Sequence, residues 1–408
     1  MPVTSYPPEK IKVLLLENVH STAHEIIRAE GFQLETLPRA LPEGELAEKL
    51  RDVHVLGIRS KTQVTARALE GARRLLAVGA FCIGTNQLDL EAAKLKGVPV
   101  FNAPFSNTRS VAELVLAEVI ALARQLGDRS REVHEGKWRK SAAGSVEVRG
   151  KTLGIVGYGH IGAQVGVLAE AIGMRVLYYD IGSRLAMGNN RPVGSLAELL
   201  GHSDFVTLHV PETPQTKEMI GAAELRAMRP GAYLLNLSRG TVVVIPALAE
   251  ALRAGHLAGA ALDVYPREPE GNSDGFESEL RGLGNVLLTP HVGGSTGEAQ
   301  AAIGREVASA LMKFVNAGAT AGAVNFPQVE LPQMPGAHRI LNAHRNVPGV
   351  LRDINRIVSE KNANIRAQLL ATDPSVGYVI MDLDQDVSDD VKRAIAALPT
   401  SLKTRILY

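Results

Sequence analysis

Residues 153–162 read Leu153-Gly154-Ile155-Val156-Gly157-Tyr158-Gly159-His160-Ile161-Gly162. The first four residues predict a buried strand, and the GxGxxG pattern that follows predicts a turn into a helix over 163–172. In such a turn, Gly157 permits the tight bend, Gly159 lets the backbone approach a pyrophosphate, and Gly162 lets the helix pack closely. Asp180 ends the next predicted strand, where a carboxylate binds the ribose hydroxyls of NAD and repels the extra phosphate of NADP. The stretch therefore predicts a dinucleotide-binding sheet that takes NAD.

Strand-like and helical segments alternate along most of the chain, which predicts parallel sheets covered by helices on both faces. Long helical patterns at 108–126 and 296–316 flank the segment that holds the motif, and Asn107 is the expected N-cap of the first. Six strands in that segment match the count of a complete dinucleotide-binding sheet. The strand-like runs lie at 12–16, 53–58, 75–81 and 98–101 before it, and at 152–156, 176–179, 205–208, 233–237, 258–263 and 286–289 within it.

The last part of the chain has a different pattern. Residues 317–337 are rich in Gly, Ala and Pro and lack periodicity, which predicts a linker. Beyond them, the order strand, helix, strand, strand, helix, strand predicts a ferredoxin-like module.

Length and composition indicate a globular protein of two or three domains, since the chain has 408 residues, 45% of them hydrophobic and 21% charged. A net charge of +1 gives no electrostatic basis for binding nucleic acid or an anionic membrane surface. No apolar run is long enough to span a bilayer, and the N-terminus lacks the apolar core of a signal peptide. The single cysteine, Cys82, cannot form an internal disulfide and suits a reducing compartment. We therefore expect a cytoplasmic protein.

Three polar residues at strand ends have the chemistry that hydride transfer needs. Oxidation of a hydroxyl-bearing carbon requires a group that moves the hydroxyl proton and a cation that holds the substrate carboxylate, because a nicotinamide handles only the hydride. Arg239, Glu268 and His291 each follow a predicted strand of the doubly wound sheet, where ligands bind. Each alone is equally well explained as a surface ion or loop residue. Together they predict an imidazole held by a carboxylate beside a guanidinium, and no metal is expected.

Several longer stretches resemble the bacterial D-3-phosphoglycerate dehydrogenases that carry an ACT domain, within the D-isomer-specific 2-hydroxyacid dehydrogenase family. These stretches are FCIGTN at 81–86, FNAPFSNTRSVAEL at 101–114, GYGHIG at 157–162 and LTPHVGGST at 288–296. The resemblance runs from about Lys12 to Tyr408. It implies oxidation of 3-phospho-D-glycerate to 3-phosphooxypyruvate with NAD, the first step of L-serine biosynthesis. It also implies that His291 is the acid/base, Glu268 its partner and Arg239 the carboxylate-binding cation.

The resemblance also implies binding positions. Arg59, Ser60, Asn107 and Arg239 correspond to substrate-binding residues, since arginine and hydroxyl donors suit a phosphate or carboxylate. A strand-end turn for Arg59 and Ser60 and a helix cap for Asn107 are plainer interpretations that can coexist with binding. The implied NAD-binding residues are Gly157, Gly159, His160, Ile161, Gly162, Asp180, Leu237, Ser238, Arg239, Asp263, His291, Val292, Gly293 and Gly294.

One residue departs from the family pattern. Val244 stands where relatives usually have an aspartate. Because this position opens a helix, we expect a weaker cap and retained catalysis.

The segment HRNVPG at 344–349 resembles the His-x-Asn-x-Pro-Gly effector loop of ACT domains. By this likeness, His344, Asn346 and Asn364 bind the carboxylate, amine and hydroxyl of L-serine, commonly across two paired modules. Loop caps without a ligand are the alternative. The resemblance further implies a homotetramer built as a dimer of dimers, with Trp138 and Lys140 at a subunit contact.

The expected fold is α/β, with a Rossmann-type doubly wound NAD domain, a flavodoxin-like substrate domain split around it, and a C-terminal ferredoxin-like βαββαβ ACT domain. The expected boundaries are 1–107 and 294–332 for the substrate-binding domain, 108–293 for the NAD domain and 333–408 for the linker and ACT domain. Two other functions stay open: a glyoxylate or hydroxypyruvate reductase of the same family, and an NAD-sensing corepressor or scaffold that need not turn over.

Overall fold

The computed structural model describes residues 6–269, 274–384 and 388–407. The chain forms two compact units, one made of Met1–Ser106 and Gln300–Tyr408 and the other of Asn107–Ala299. Parallel sheets occur in both units and an antiparallel sheet at the C-terminus, so the predicted α/β class is confirmed. The outermost residues of the predicted domains, 1–5 and 408, lie outside the described residues, and the predicted boundaries stay a prediction. Within the described ranges, no helix combines the length and apolarity needed to cross a membrane.

The first unit begins with a five-stranded parallel sheet in the order β2-β1-β3-β4-β5, the flavodoxin-like order. Its central strands are buried along almost their whole length, as expected where helices cover both faces. The sequence analysis missed β2, whose residues are largely exposed and polar. Strands β1 to β5 span Lys12–Leu16, Gln33–Leu37, Val55–Ile58, Ala77–Ala80 and Val100–Phe101, and helices α1 to α4 span Ser21–Ala29, Glu43–Leu50, Ala66–Leu69 and Leu90–Leu95.

The second unit is a seven-stranded parallel sheet in the order β12-β11-β10-β9-β6-β7-β8. The order reverses between β6 and β9, which is where a doubly wound sheet opens its binding crevice. The helix predicted at 108–126 ends at Ala123, and Gln125, with a φ of 51°, separates it from a second helix that begins at Leu126. Strands β6 to β12 span Thr152–Val156, Arg175–Tyr179, Arg191–Pro192, Phe205–Leu208, Ala232–Asn236, Leu257–Leu262 and Val286–Leu288, and helices α5 to α10 span Thr108–Ala123, Leu126–His134, His160–Ala171, Leu196–His202, Ala222–Ala227 and Ile245–Arg253.

Helix α11 (Gly297–Ala317) leads to a C-terminal module with the predicted βαββαβ order. Its four-stranded antiparallel sheet has the order β14-β15-β13-β16, which is that of a ferredoxin-like fold. Apolar residues of α12 and α13 form one core with one face of the sheet. Strands β13 to β16 span His338–Arg345, Ile365–Thr372, Val376–Leu383 and Ser401–Leu407, and helices α12 and α13 span Val350–Glu360 and Ser388–Ala396.

Of the predicted linker at 317–337, Ala317 ends α11 and residues 318–337 form no helix or strand, but the segment is not a free linker. Thr320, Phe326 and Val329 are buried in the first unit, and the Thr320 hydroxyl donates to the Pro327 carbonyl (2.7 Å). The second face of the antiparallel sheet, which includes Tyr378, belongs to the same apolar core. Composition alone overlooked the apolar side chains that fix this segment.

Candidate active site

The glycine motif forms the turn between β6 and α7. Gly157 has a φ of 91°, and a Cβ there would lie 2.4 Å from the His209 carbonyl oxygen. A Cβ on Gly162 would lie 2.1 Å from the Gly157 carbonyl oxygen, so α7 packs directly on the turn. Gly159, the N-cap of α7, faces open space, because a Cβ there would meet nothing within 4 Å. A helix N-terminus that opens on free space through a glycine is chemically suited to the pyrophosphate of NAD.

Asp180 follows β7 and fixes this turn. Its Oδ2 accepts a hydrogen bond from the Tyr158 N–H (2.8 Å), and its Oδ1 accepts one from the Gly182 N–H (2.9 Å). Arg184, the next arginine in the chain, lies 3.3 Å from Oδ1. The carboxylate therefore stands beside the glycine turn, where it fits the ribose of NAD.

His291 and Glu268 form a hydrogen-bonded pair, with 2.8 Å between Nδ1 and Oε2. The Glu268 hydrogen bond raises the pKa of His291 above its ordinary value. Burial raises the pKa of Glu268, but the hydrogen bond and charge of His291 outweigh it and hold that pKa below its ordinary value. The positive charge of Arg239 offsets part of the rise in the His291 pKa and adds to the lowering of the Glu268 pKa. The structure thus brings the three predicted catalytic residues within electrostatic reach of one another.

The imidazole is oriented for proton transfer at its other nitrogen. Because Nδ1 is bonded to Glu268, Nε2 is the nitrogen that a substrate hydroxyl would meet. The His291 side chain is 51% exposed, so a small molecule can reach it. No group of three His, Cys, Asp or Glu side chains able to hold a metal ion occurs among the described residues.

Asp263 holds the backbone that carries His291. Its buried carboxylate accepts hydrogen bonds from the Thr289 hydroxyl (2.6 Å), the Val292 N–H (2.8 Å) and the Gly293 N–H (2.8 Å). His291 itself has a φ of 55°, a left-handed conformation that a non-glycine residue keeps only when its surroundings impose it. Asp263, Val292 and Gly293 are therefore bonded to one another, and their predicted contacts with NAD stay a prediction.

Arg239 lies just after β10, in a turn built by Asn236. The Asn236 side chain accepts from the Ser238 N–H (3.1 Å) and hydroxyl (2.8 Å) and donates to the Arg239 carbonyl (3.0 Å). The Arg239 guanidinium donates to the Ser238 carbonyl (2.7 Å), and Leu237 is buried beneath the turn. The sequence analysis missed Asn236, although an asparagine at the end of an apolar strand was a usable signal.

The predicted substrate residues lie in both units. Arg59 and Ser60 follow β3 in the first unit, and their loop is fixed by the buried Glu17 carboxylate, which accepts from the N–H groups of Lys61 (3.0 Å) and Thr62 (2.8 Å). Sequence reasoning missed Glu17, a carboxylate directly after β1.

Asn107, in the second unit, occupies the N-cap position of α5 without a side-chain cap. Its buried Oδ1 has no hydrogen-bond partner among the described residues. The side chain packs against Gly294, where a Cβ would lie 2.6 Å from the Asn107 Nδ2. The predicted N-cap position is therefore confirmed, but the side chain does not cap the helix, and its role in substrate binding stays a prediction.

The three predicted effector residues are not brought together within one module. His344 is buried, with Nδ1 3.1 Å from the Asn342 amide oxygen, and burial lowers its pKa. The Asn346 backbone donates to the Ser375 carbonyl at one end of β15, and Asn364 accepts from the Asp384 N–H at the other. At a strand rise of roughly 3.3 Å per residue, the two asparagines are roughly 30 Å apart.

Four of the remaining predicted positions are exposed or uncapped. Val244 is the N-cap of α10 and makes no side-chain cap, as its side chain dictates. Trp138 is 85% exposed, and Lys140 is exposed as well. His160, at the start of α7, is also exposed, whereas Ile161 packs against the core of the second unit.

Comparisons with known proteins agree with this geometry. The family described as "D-isomer specific 2-hydroxyacid dehydrogenase, NAD binding domain" matches residues 116–293, and "AHAS small subunit-like ACT domain" matches residues 340–403. D-lactate dehydrogenase from Aquifex aeolicus, solved with NAD and lactic acid, superposes with a TM-score of 0.67 at 28% identity, covering 78% of this chain and 100% of that one.

Two relatives match the chain over its whole length. D-3-phosphoglycerate dehydrogenase of Dictyostelium discoideum is 57% identical over 407 residues, and that of Escherichia coli strain K12 is 52% identical over 411 residues. Each match covers 100% of both chains. The chain therefore belongs to the D-isomer specific 2-hydroxyacid dehydrogenase family, in the branch of D-3-phosphoglycerate dehydrogenases with an ACT domain, and is an NAD-dependent oxidoreductase.

Proposed function

We propose that the chain oxidises 3-phospho-D-glycerate to 3-phosphooxypyruvate with NAD, the first step of L-serine biosynthesis. The observation that carries this proposal is the hydrogen bond between Glu268 and His291 (2.8 Å), in which His291 lies on a loop held by Asp263. Full-length relatives of this chain are D-3-phosphoglycerate dehydrogenases, which supports the choice of substrate. We also propose that the protein works in the cytoplasm.

In the proposed reaction, NAD supplies the hydride acceptor when bound. His291 takes the proton of the substrate hydroxyl at Nε2, and Glu268 stabilises the imidazolium that forms. Arg239 holds the substrate carboxylate, and Arg59, Ser60 and Asn107 bind the remaining polar groups, including the phosphate. In the reverse direction, His291 returns the proton to the carbonyl oxygen.

The proposed NAD site is the turn between β6 and α7 with Asp180 beside it. The pyrophosphate lies at the N-terminus of α7 over Gly159, and the ribose hydroxyls donate to Asp180. The other proposed contacts are with Gly157, His160, Ile161, Gly162, Leu237, Ser238, Arg239, Asp263, His291, Val292, Gly293 and Gly294.

Inhibition by L-serine at two paired modules is proposed for the C-terminal domain, with His344, Asn346 and Asn364 as the binding residues. β14 is an edge strand, with β15 as its neighbour on one side. In the proposed pairing, β14 lies antiparallel to β14 of a second copy, with residue 365 opposite residue 372. This register places Asn364 opposite Asp373 of that copy. The Asp373 carbonyl already accepts from the Asn346 side chain (2.7 Å), so this pairing joins the two asparagines across copies. The proposed assembly is a homotetramer.

The test is an assay of the purified full-length protein with NAD and 3-phospho-D-glycerate. We expect NADH production, lowered by about 10² to 10⁴ in His291→Ala, because a positioned acid/base contributes that much. His202→Ala, at an exposed histidine at the end of α8, is the matched control and should be unchanged. Faster turnover of glyoxylate than of the phosphorylated substrate would instead favour the reductase. Intact biological activity of His291→Ala would favour the scaffold.

A second experiment tests the effector site in the same protein. L-serine should lower the rate of wild type, and both Asn346→Ala and Asn364→Ala should weaken that inhibition. Point variants are preferable to truncation, because the sheet of the module is part of the first unit's core. Inhibition that is unchanged in both variants would contradict the proposed site.

A further inference from the structure

One acidic side chain in the second unit is buried without a partner. Glu118, on α5, is 4% exposed, and neither carboxylate oxygen has a hydrogen-bond partner among the described residues. Val111, Val115 and Leu122 share its helical face and are buried in the apolar core. A leucine would be the ordinary residue at such a position, so the carboxyl group needs an explanation.

The face of α5 that carries Glu118 lies behind the loop that positions His291. Helix α5 packs on β10, β11 and β12, and Asp263 directly follows β11. A Cβ on Gly293 would lie 3.0 Å from the Asp263 Oδ2 and 3.4 Å from the Val111 side chain, so Val111, on this face, lies near the Asp263 carboxylate. Helical side chains lean towards the N-terminus of their helix, which directs Glu118 towards Val111 and Asp263.

The ionisable groups that face Glu118 come from the segment after β11. Burial first, and then the negative charge of Asp263, raise the pKa of Glu118 to about 8. Burial, followed by the charges of Asp263 and Glu118, raises the pKa of Tyr265 on the same segment. The other elements packed against α5 are α6, α7, β10 and β12, and none of their described charged or titratable groups contributes to the pKa shift of Glu118.

We propose that Glu118 is a positioning residue for the proposed dehydrogenase reaction: while it is a neutral acid, Asp263 holds the His291 loop, and when it ionises, the loop is released. Asp263 accepts three hydrogen bonds, two of them from the N–H groups of Val292 and Gly293, and these bonds hold the loop. A second carboxylate in the same apolar setting repels the first, and the two cannot both stay ionised at low cost. Since His291 has a left-handed backbone that its surroundings impose, loss of the Asp263 bonds lets it leave the catalytic position.

The kinetic test compares wild type, Glu118→Gln and Glu113→Gln as full-length enzymes from pH 6 to 10. Glutamine imitates the neutral acid and cannot ionise, whereas Glu113 is an exposed glutamate on the same helix that pairs with Arg109. We expect the ratio of kcat in Glu118→Gln to kcat in wild type to rise with pH, with a midpoint near the pKa of about 8 and a gain of about tenfold or more by pH 9.5. KM for the phosphorylated substrate should change less, because the proposed substrate-binding residues Arg59 and Ser60 lie on the loop after β3 and not on the His291 loop. The ratio for Glu113→Gln should stay flat.

Thermal unfolding provides a readout that does not require turnover. The folded pKa of Glu118 lies above the unfolded one, so wild type loses stability as pH rises through the window between them and loses no more above about 8. The Tm of Glu118→Gln minus that of wild type should therefore grow from about pH 4.5 to about 8 and then level off. A flat Tm difference would overturn the protonation of Glu118. A growing Tm difference with a kcat ratio independent of pH, or an equal response in Glu113→Gln, would overturn its positioning role. If the protein does not act on 3-phospho-D-glycerate at all, the proposed function fails while the Tm difference still reports on Glu118.

Discussion

Replacement of Arg339 by methionine is expected to destabilise the C-terminal module strongly. Arg339 lies on β13 with its side chain 4% exposed, and all five of its N–H groups have a partner. Two donate to the Asp382 carboxylate (2.7 and 2.8 Å). Three donate to the carbonyls of Ala317 (2.9 Å), Leu331 (2.9 Å) and Pro332 (2.8 Å). One guanidinium therefore joins β15, the end of α11 and the segment after it.

The magnitude follows from burial. The Asp382 side chain is 1% exposed, so Arg339→Met leaves a buried carboxylate without its cation. Removing one partner of a buried pair costs about 3 to 5 kcal/mol, and we expect about 4 kcal/mol for this variant. Arg339→Met with Asp382→Leu should cost less than Arg339→Met alone, because no unpaired charge remains and only the three carbonyls lose their donor.

Hydrogen exchange of the amides in β13 and β15 measures this effect, since it reports local opening of the module. A loss of about 4 kcal/mol corresponds to exchange faster by about 10³. Lys313→Met is the control: its exposed pair with Glu330 in the same unit should contribute under about 1 kcal/mol. Exchange within tenfold of wild type in Arg339→Met, or a double variant that costs the sum of both single ones, would refute the reasoning.

Three shorter predictions concern the active site. Glu268→Gln should lower kcat by about 10² or more. It should also move the limb of the pH–rate profile that reports the titration of His291 to lower pH, because the carboxylate raises the pKa of the imidazole. A limb at the wild-type pH would contradict this. Glu17→Gln should raise KM for 3-phospho-D-glycerate by about tenfold with a smaller effect on kcat, because two charge-assisted bonds to the loop after β3 are lost; an unchanged KM would argue against it. Gly159→Ala should weaken NAD binding, measured by titration, and leave Tm unchanged, because its Cβ enters open space. Gly162→Ala should instead lower Tm, because its Cβ clashes with the Gly157 carbonyl oxygen. The reverse pattern would show that the turn is misassigned.

The strands with recurring apolar residues could be predicted from the sequence, and β2 and β8, which lack them, could not. β1, β3 and β6 are near-continuous apolar runs because helices cover both sides of their sheets. β2 is mostly polar and exposed, and β8 is a two-residue edge strand that contains a proline, so neither leaves a hydrophobic run. The pattern reports where apolar residues recur along the chain, and for that reason it also detected β14, a partly exposed edge strand.

The candidate catalytic residues could be predicted because strand ends of a doubly wound sheet meet at one edge. This rule selected Arg239, Glu268 and His291 without any knowledge of their distances. It could not select Asn236 or Glu17, whose work is to bond the backbone of neighbouring loops. Such contacts join residues that are distant in sequence, and a single sequence shows them only as polar residues at the ends of apolar runs.

The geometry around His291 explains why Glu268 and Asp263 matter to the proposed chemistry. A general base must hold its nitrogen within hydrogen-bond reach of the substrate proton. In the proposed reaction His291 is that base, and its backbone has a left-handed conformation that it would not adopt freely. Glu268 fixes the ring, and Asp263 fixes the backbone on the far side of the same residue. An imidazole held at both its ring and its main chain loses little orientation when substrate binds. This preorganisation accounts for a buried carboxylate at Asp263, where an apolar residue would stabilise the sheet equally well but leave the loop free.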